Sequence, residues 1–240
     1  MSARSLHTGR LVGLVACVGA GIAAWDWAPL KPFKILAVAG HETGHAVATW
    51  FVGGSVARIT LAGNESGACL SSIPQGFIAR VVLYSGGYVG SAVIASLLLL
   101  LSFRAGLLRP MLVAASIWLA SVGLFFGRDA FTLGFCVAGA VTFALGAKFL
   151  PDAAVASLNL FIASFTALYA LMDLKDDLWN GAVRPHSDAG LLADLTPIPA
   201  VVWALGWTLL STATVALGAW LSLQTKASVS AGAFDAPRSR

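Results

Sequence analysis

One stretch of the chain, Ala39-Gly40-His41-Glu42-Thr43-Gly44-His45, constrains its fold more than any other, because it sets two imidazoles and a carboxylate inside an apolar run from Phe33 to Phe51. At about 1.5 Å per residue, a helix over that run would cross most of a bilayer core. Residues four apart on a helix lie on one face, so His41 and His45 can both reach a single ion. In an H-E-x-x-H site the ion takes both imidazole nitrogens and a third protein ligand, and keeps one position for a water that the glutamate can deprotonate. That chemistry is hydrolytic. The plainer alternative is a polar cluster used only for helix packing. Against it stands the cost of ionisable groups near a helix centre in lipid, about 2.5–3.5 kcal/mol each on insertion scales. The chain has only four histidines, and the motif takes two of them.

The surroundings of the motif fix the class. Hydrophobic residues make up 58% of the 240 and charged residues 11%, a balance no soluble domain of this size keeps. The expected fold is an all-α polytopic membrane protein with about seven transmembrane helices, six if the first is cleaved as a signal. The net charge of +4 comes from scattered Lys and Arg, which read as membrane-flank charges and give no nucleic-acid surface. Cys17, Cys69 and Cys136 are too far apart to form a disulfide framework or a thiolate metal box.

Along the chain, apolar runs from about Leu11, Phe33, Phe77, Met111, Ala130, Ala153 and Pro197 supply the seven spans, punctuated by Pro29, Pro32, Pro110, Pro151 and Gly127-Arg128-Asp129. Trp25 and Trp27 at the end of the first run look like an interface belt, which favours a retained first helix. Between the second and third runs, Ile59 and Leu61 alternate with Arg58 and Thr60, and Asn64-Glu65-Ser66-Gly67 reads as a turn. A short β-hairpin at the membrane face is the expectation, with a solvated loop as the alternative. The third run carries small residues at Gly86, Gly87, Gly90 and Ser91, which admit a close neighbouring backbone. Residues 1–223 form one transmembrane domain in this reading, and 224–240 a polar, disordered tail.

A third ligand has to come from elsewhere. His7 and His186 lie in polar segments, whereas Asp173 is the deepest carboxylate of the sixth span. If the second and sixth spans leave the membrane on the same side, His45 and Asp173 lie at matching depth, about 9–12 Å from that face. Asp173 is therefore the expected third ligand, with Asp176, one turn along, as the alternative.

At these residues the sequence resembles the site-2 protease family of intramembrane zinc metallopeptidases, in its compact branch. The likeness is carried by His41 to His45, the hairpin-like Ile59 to Gly67, the glycine-rich Ser85 to Ser91, and Tyr169 to Trp179 with the later Ser187-Asp188-Ala189. It implies one Zn²⁺ held by His41, His45 and an aspartate of a later helix, Glu42 as general base and acid, and transmembrane segments of other proteins as substrates. Ile59, Leu61, Gly86 and Gly87 would then contact substrate. It also implies that the loop after the motif helix faces the cytosol, and that the protein resides in the lipid bilayer of a bacterial inner membrane. Two departures stand out: Met172-Asp173-Leu174 lacks the glycine of the better-known ligand motif, and Asn159 lies far upstream of it. A catalytically inactive membrane scaffold or chaperone is the alternative function.

Overall fold

The computed structural model describes residues 6–179 and 187–224, with only the helical backbone given at 176–179. Seven long helices are present, close to where the apolar runs place them: α1 (Thr8–Ala23), α2 (Lys31–Phe51), α3 (Phe77–Leu99, continued by a π turn to Arg104), α4 (Leu108–Ser121, continued likewise to Phe126), α5 (Ala130–Phe149), α6 (Asp152–Trp179) and, after a short α7 (Asp188–Asp194), α8 (Ala200–Leu223). Five of them, α3 to α6 and α8, are long and apolar enough to cross a membrane. Exposed Val12, Ile117, Leu124, Val137, Leu145 and Leu209 form the outward surface of a multi-pass integral membrane protein.

As passages from one end of the bundle to the other, the described helices are not seven. Leu6 pairs with Gln224, and the His7 N–H donates to the Leu223 carbonyl at 2.8 Å, so both ends of the described chain lie at one end of the bundle and the number of passages between them is even. The reason is the α1–α2 junction. Trp25 stacks on Phe165 and lies tilted against Tyr169, and Phe33 packs edge-on against Phe161, so the chain turns from α1 into α2 against the middle of α6. The 16 residues of α1 are short for a full crossing, and α1 and α2 make one passage between them. Consequently the N-terminal residues sit by Leu108, where α4 begins, while Trp50 near the end of α2 meets Phe126, where α4's continuation ends. The sequence-based topology put these two points on one side; they lie at opposite ends.

After Phe51 the chain reverses on glycine. Gly53 takes φ +79°, its N–H reaches the Trp50 carbonyl and that of Gly54 the Thr49 carbonyl, closing the last turn of α2. The expected hairpin follows as antiparallel β1 (Ser55–Leu61) and β2 (Gly67–Ser72). It does not stand off the end of α2. Instead it folds back along that helix until its turn residue Glu65, at φ +70°, pairs with Lys34 in the first turn of α2 at 3.1 Å. Lys34 also lies 4.5 Å from the Trp25 ring, and the Tyr169 hydroxyl donates to the Glu65 carbonyl. Two buried side chains of β1, Ile59 and Leu61, join Ile35, Val38 and Ala39 of α2 in the larger core cluster. Strand β1 is further fixed by the Leu61 N–H, which donates to the Thr132 hydroxyl at 2.8 Å.

Helices α2 and α3 cross on glycine. A Cβ at Gly44 would strike the Gly86 carbonyl, and one at Gly90 would come 2.9 Å from the Gly44 Cα, so the backbones meet directly as small-residue patterns permit. This crossing puts the motif turn of α2 against the middle of α3. Gln224, assigned to the tail by sequence, is buried at the end of α8; residues 225–240 lie outside the described part.

Candidate metal centre

His41 and His45 project from one face of α2, and three separate elements hold their surroundings. The Leu83 carbonyl of α3 lies 2.8 Å from His45 Nδ1. A carbonyl can only accept, so in neutral His45 the proton resides on Nδ1 and the Nε2 lone pair turns inward. Tyr88, one turn along α3, sets its ring at 83° to His41 with centroids 4.8 Å apart, and is itself backed by Trp207 of α8. Trp207 in turn donates its indole N–H to the Ser85 hydroxyl at 2.9 Å. On the other side of α2, the Trp118 indole donates to the Thr43 hydroxyl at 3.0 Å, and that hydroxyl donates to the Ala39 carbonyl at 2.7 Å. Rotation of the motif turn is thereby restricted from both flanks.

A carboxylate completes the cluster. Asp188 opens α7, whose N-cap Ser187 accepts from the Gly190 N–H at 3.2 Å and so aims the first helical residue at α2. One Asp188 oxygen lies 3.2 Å from His41 Nε2 and 3.1 Å from His45 Nε2, and the two Nε2 atoms are 3.0 Å apart. Three ligand atoms at about 2.0–2.1 Å from a tetrahedral zinc would be about 3.3 Å from one another. The triangle is within a few tenths of an ångström of that, on a donor set of two imidazoles and a carboxylate, so the residues present fit a zinc ion. Gly87 leaves room for it: a Cβ there would fall on His41 Nε2 and 2.6 Å from His45 Nε2.

Glu42 points elsewhere. It is buried against the hairpin, where a Cβ on Gly67 would come 2.8 Å from its Oε1, and among the described residues it makes no hydrogen bond or ion pair. An unengaged carboxylate beside the ligand triangle is suited to accept a proton.

The sequence expectations divide accordingly. His41 and His45 meet on one face of α2, and Glu42, on the same turn, is turned to the hairpin. Asp173 is not in the group whose ligand atoms lie within 4.8 Å of one another; the carboxylate there is Asp188. Asp173 is near enough for its charge to act on His41 and Glu42, but the carboxylate in contact with the imidazoles comes from the short helix after that span. The alternative Asp176 and the polar-loop His186 fall outside the residues whose side chains are described. The Ile59 and Leu61 side chains are in the core, Gly86 packs against Gly44 and Ala48 and lines the groove between α2 and α3, and Gly87 lies at the two imidazoles. Sequence reasoning named Ser187-Asp188-Ala189 only as part of the resemblance and did not read the helix α7 there, inside a polar segment. Its signal was Ser187-Asp188, an N-cap and an acidic first turn ahead of Leu191-Leu192.

The sequence profile described as Peptidase M50B-like matches residues 14–218, most of the chain. The chain belongs to that family. The family is one of zinc metallopeptidases within the site-2 protease group, as the resemblance implied, and the match takes in the motif, the hairpin and α7 alike. No curated protein and no solved structure gives a significant match.

Proposed function

We propose that this M50B-like protein is an intramembrane zinc endopeptidase that hydrolyses peptide bonds in or near transmembrane segments of other membrane proteins, in the inner membrane of a bacterium. The observation that carries the reading is the near-equilateral triangle of His41 Nε2, His45 Nε2 and an Asp188 oxygen, with His45 held in the ligating tautomer by Leu83. These three side chains would hold the ion. When bound, zinc supplies the Lewis acidity that polarises a scissile carbonyl and makes a water acidic at neutral pH.

The rest is work for the chain's own groups. Glu42 takes the proton of the attacking water and returns it to the leaving amine, and its lack of other partners among the described residues leaves both oxygens available. A transmembrane helix keeps its carbonyls in internal hydrogen bonds, so the substrate has to unwind locally before attack. Strand β2 offers an edge for the unwound piece. Its partner β1 is tied to Thr132 of α5 on the far side, while Gly67 brings β2 against Glu42, so a strand added to β2 passes the general base.

The test pairs metal analysis with cleavage. Purified Glu42→Gln is expected to keep one zinc per chain and lose cleavage of a transmembrane substrate, whereas His41→Ala loses the metal. Cleavage by Glu42→Gln at the wild-type rate would end the assignment. Zinc retained by both wild type and Glu42→Gln, with neither cutting any membrane substrate, would favour a scaffold.

A further inference from the structure

At the end of the bundle remote from α7, where Leu6 meets Gln224, the structure holds a feature that proteolysis does not use. Two adjoining cavities, of about 360 and 320 Å³, share His7, Arg10, Phe103 and Gly106 as walls. Their remaining linings differ in kind. The smaller adds Arg104 and Gln224, whereas the larger runs down beside Leu108, Ala156 and Leu160. One lobe is cationic and the other largely apolar, and among the described residues neither is lined by a carboxylate.

The cations are arranged rather than scattered. Arg10 donates through one amino group to the Phe103 carbonyl at 3.0 Å and the Ser222 carbonyl at 3.1 Å, with its guanidinium 5.2 Å from the Phe103 ring centroid. Among the described residues its other N–H groups make no hydrogen bond, so a pre-oriented fork remains. Arg104 is exposed and has no partner among the described residues. His7 Nδ1 accepts from the Arg10 N–H at 3.3 Å, which puts the proton of neutral His7 on Nε2 as a further donor. Nearby Arg109 is different: Asp152 and the Ala147 and Leu150 carbonyls engage it fully.

We propose that this end of the bundle binds one phospholipid with an anionic headgroup, its phosphate against Arg10 and Arg104 and the first carbons of an acyl chain along Phe103, Leu108 and Leu160. Charge complementarity selects the headgroup, because basic pockets between helices at a membrane surface attract anionic lipids. The apolar lobe selects a lipid over a free phosphate. Binding there would also clamp α1 to the ends of α3 and α8, since the same arginine touches all three.

Native mass spectrometry of the purified full chain, with phosphatidylglycerol or phosphatidylcholine added, tests this. The wild type is expected to retain one phosphatidylglycerol in preference to phosphatidylcholine. Arg104→Gln should weaken that retention about fivefold, the worth of one cation at an anionic surface. Ala156→Leu, which narrows the apolar lobe without touching charge, should weaken it as well, and millimolar inorganic phosphate should not displace the lipid. Equal retention of the two lipids, an unchanged affinity in Arg104→Gln, or complete displacement by inorganic phosphate would each overturn the proposal. Because the readout is lipid retention, the outcome is independent of whether the metal centre cleaves anything.

Discussion

The Lys34–Glu65 pair should respond asymmetrically to the loss of each partner. Lys34 has a side chain 8% exposed and Glu65 one 29% exposed, and their charges are 3.1 Å apart. In Glu65→Gln the ammonium stays buried with only the Trp25 face to receive it. Stranding one member of a buried pair costs about 3–5 kcal/mol, and because the Trp25 contact is already present in the wild type while the Glu65 side is part-exposed to water, a loss at the lower end, about 3 kcal/mol, is expected. In Lys34→Met the carboxylate left behind can hydrate, and the loss should be about 1 kcal/mol. The double variant should recover most of the Glu65→Gln deficit, because neither charge is then stranded. Glutamine keeps the left-handed backbone at position 65 about as well as glutamate, so the comparison isolates the charge. Reversible unfolding of the full chain in mixed detergent and SDS micelles measures all three, and maleimide labelling of Cys69 on β2 reports whether the hairpin loosens in step. If Lys34→Met were at least as damaging as Glu65→Gln, the assignment of the lysine as the more deeply buried charge would be refuted.

Three further outcomes follow from the same geometry. Asp188→Asn should lower zinc affinity by at least tenfold while Asp173→Asn leaves it near wild type, as read by competition with a chromophoric chelator; the reverse order would restore the sixth span as the source of the ligand. Gly87→Ala should drive the two imidazoles apart and drop the zinc content of purified protein well below one per chain, measured by elemental analysis. Asp129, the N-cap of α5, accepts from the Thr132 N–H and hydroxyl, and these bonds hold its carboxyl below the usual range. A group depressed on folding stabilises above its unfolded pKa and ceases to as pH falls through its folded one, so unfolding midpoints should decline below about pH 4, and less steeply in Asp129→Ala.

Composition and the length of the apolar runs were enough to determine a bundle of membrane helices, because in lipid a chain has to satisfy its backbone within each segment. Spacing alone put His41 and His45 on one face with Glu42 beside them, since three residues within five of one another on a helix have little freedom. Alternation of Ile59 and Leu61 likewise predicted the hairpin. Three matters lay beyond local pattern. The even number of passages depends on where the α1–α2 junction packs, which Trp25 and Phe33 decide by meeting the same stretch of α6. The path of the hairpin depends on a lysine and a glutamate 31 positions apart finding each other. The carboxylate that completes the cluster is 143 residues beyond His45, on a seven-residue helix inside a polar segment, and only the packing of α7 against α3 and α8 brings it to the imidazoles. Contacts within a few residues are fixed by chain geometry, whereas these three are selected by which buried surfaces fit together, and that is settled only when the whole bundle has formed.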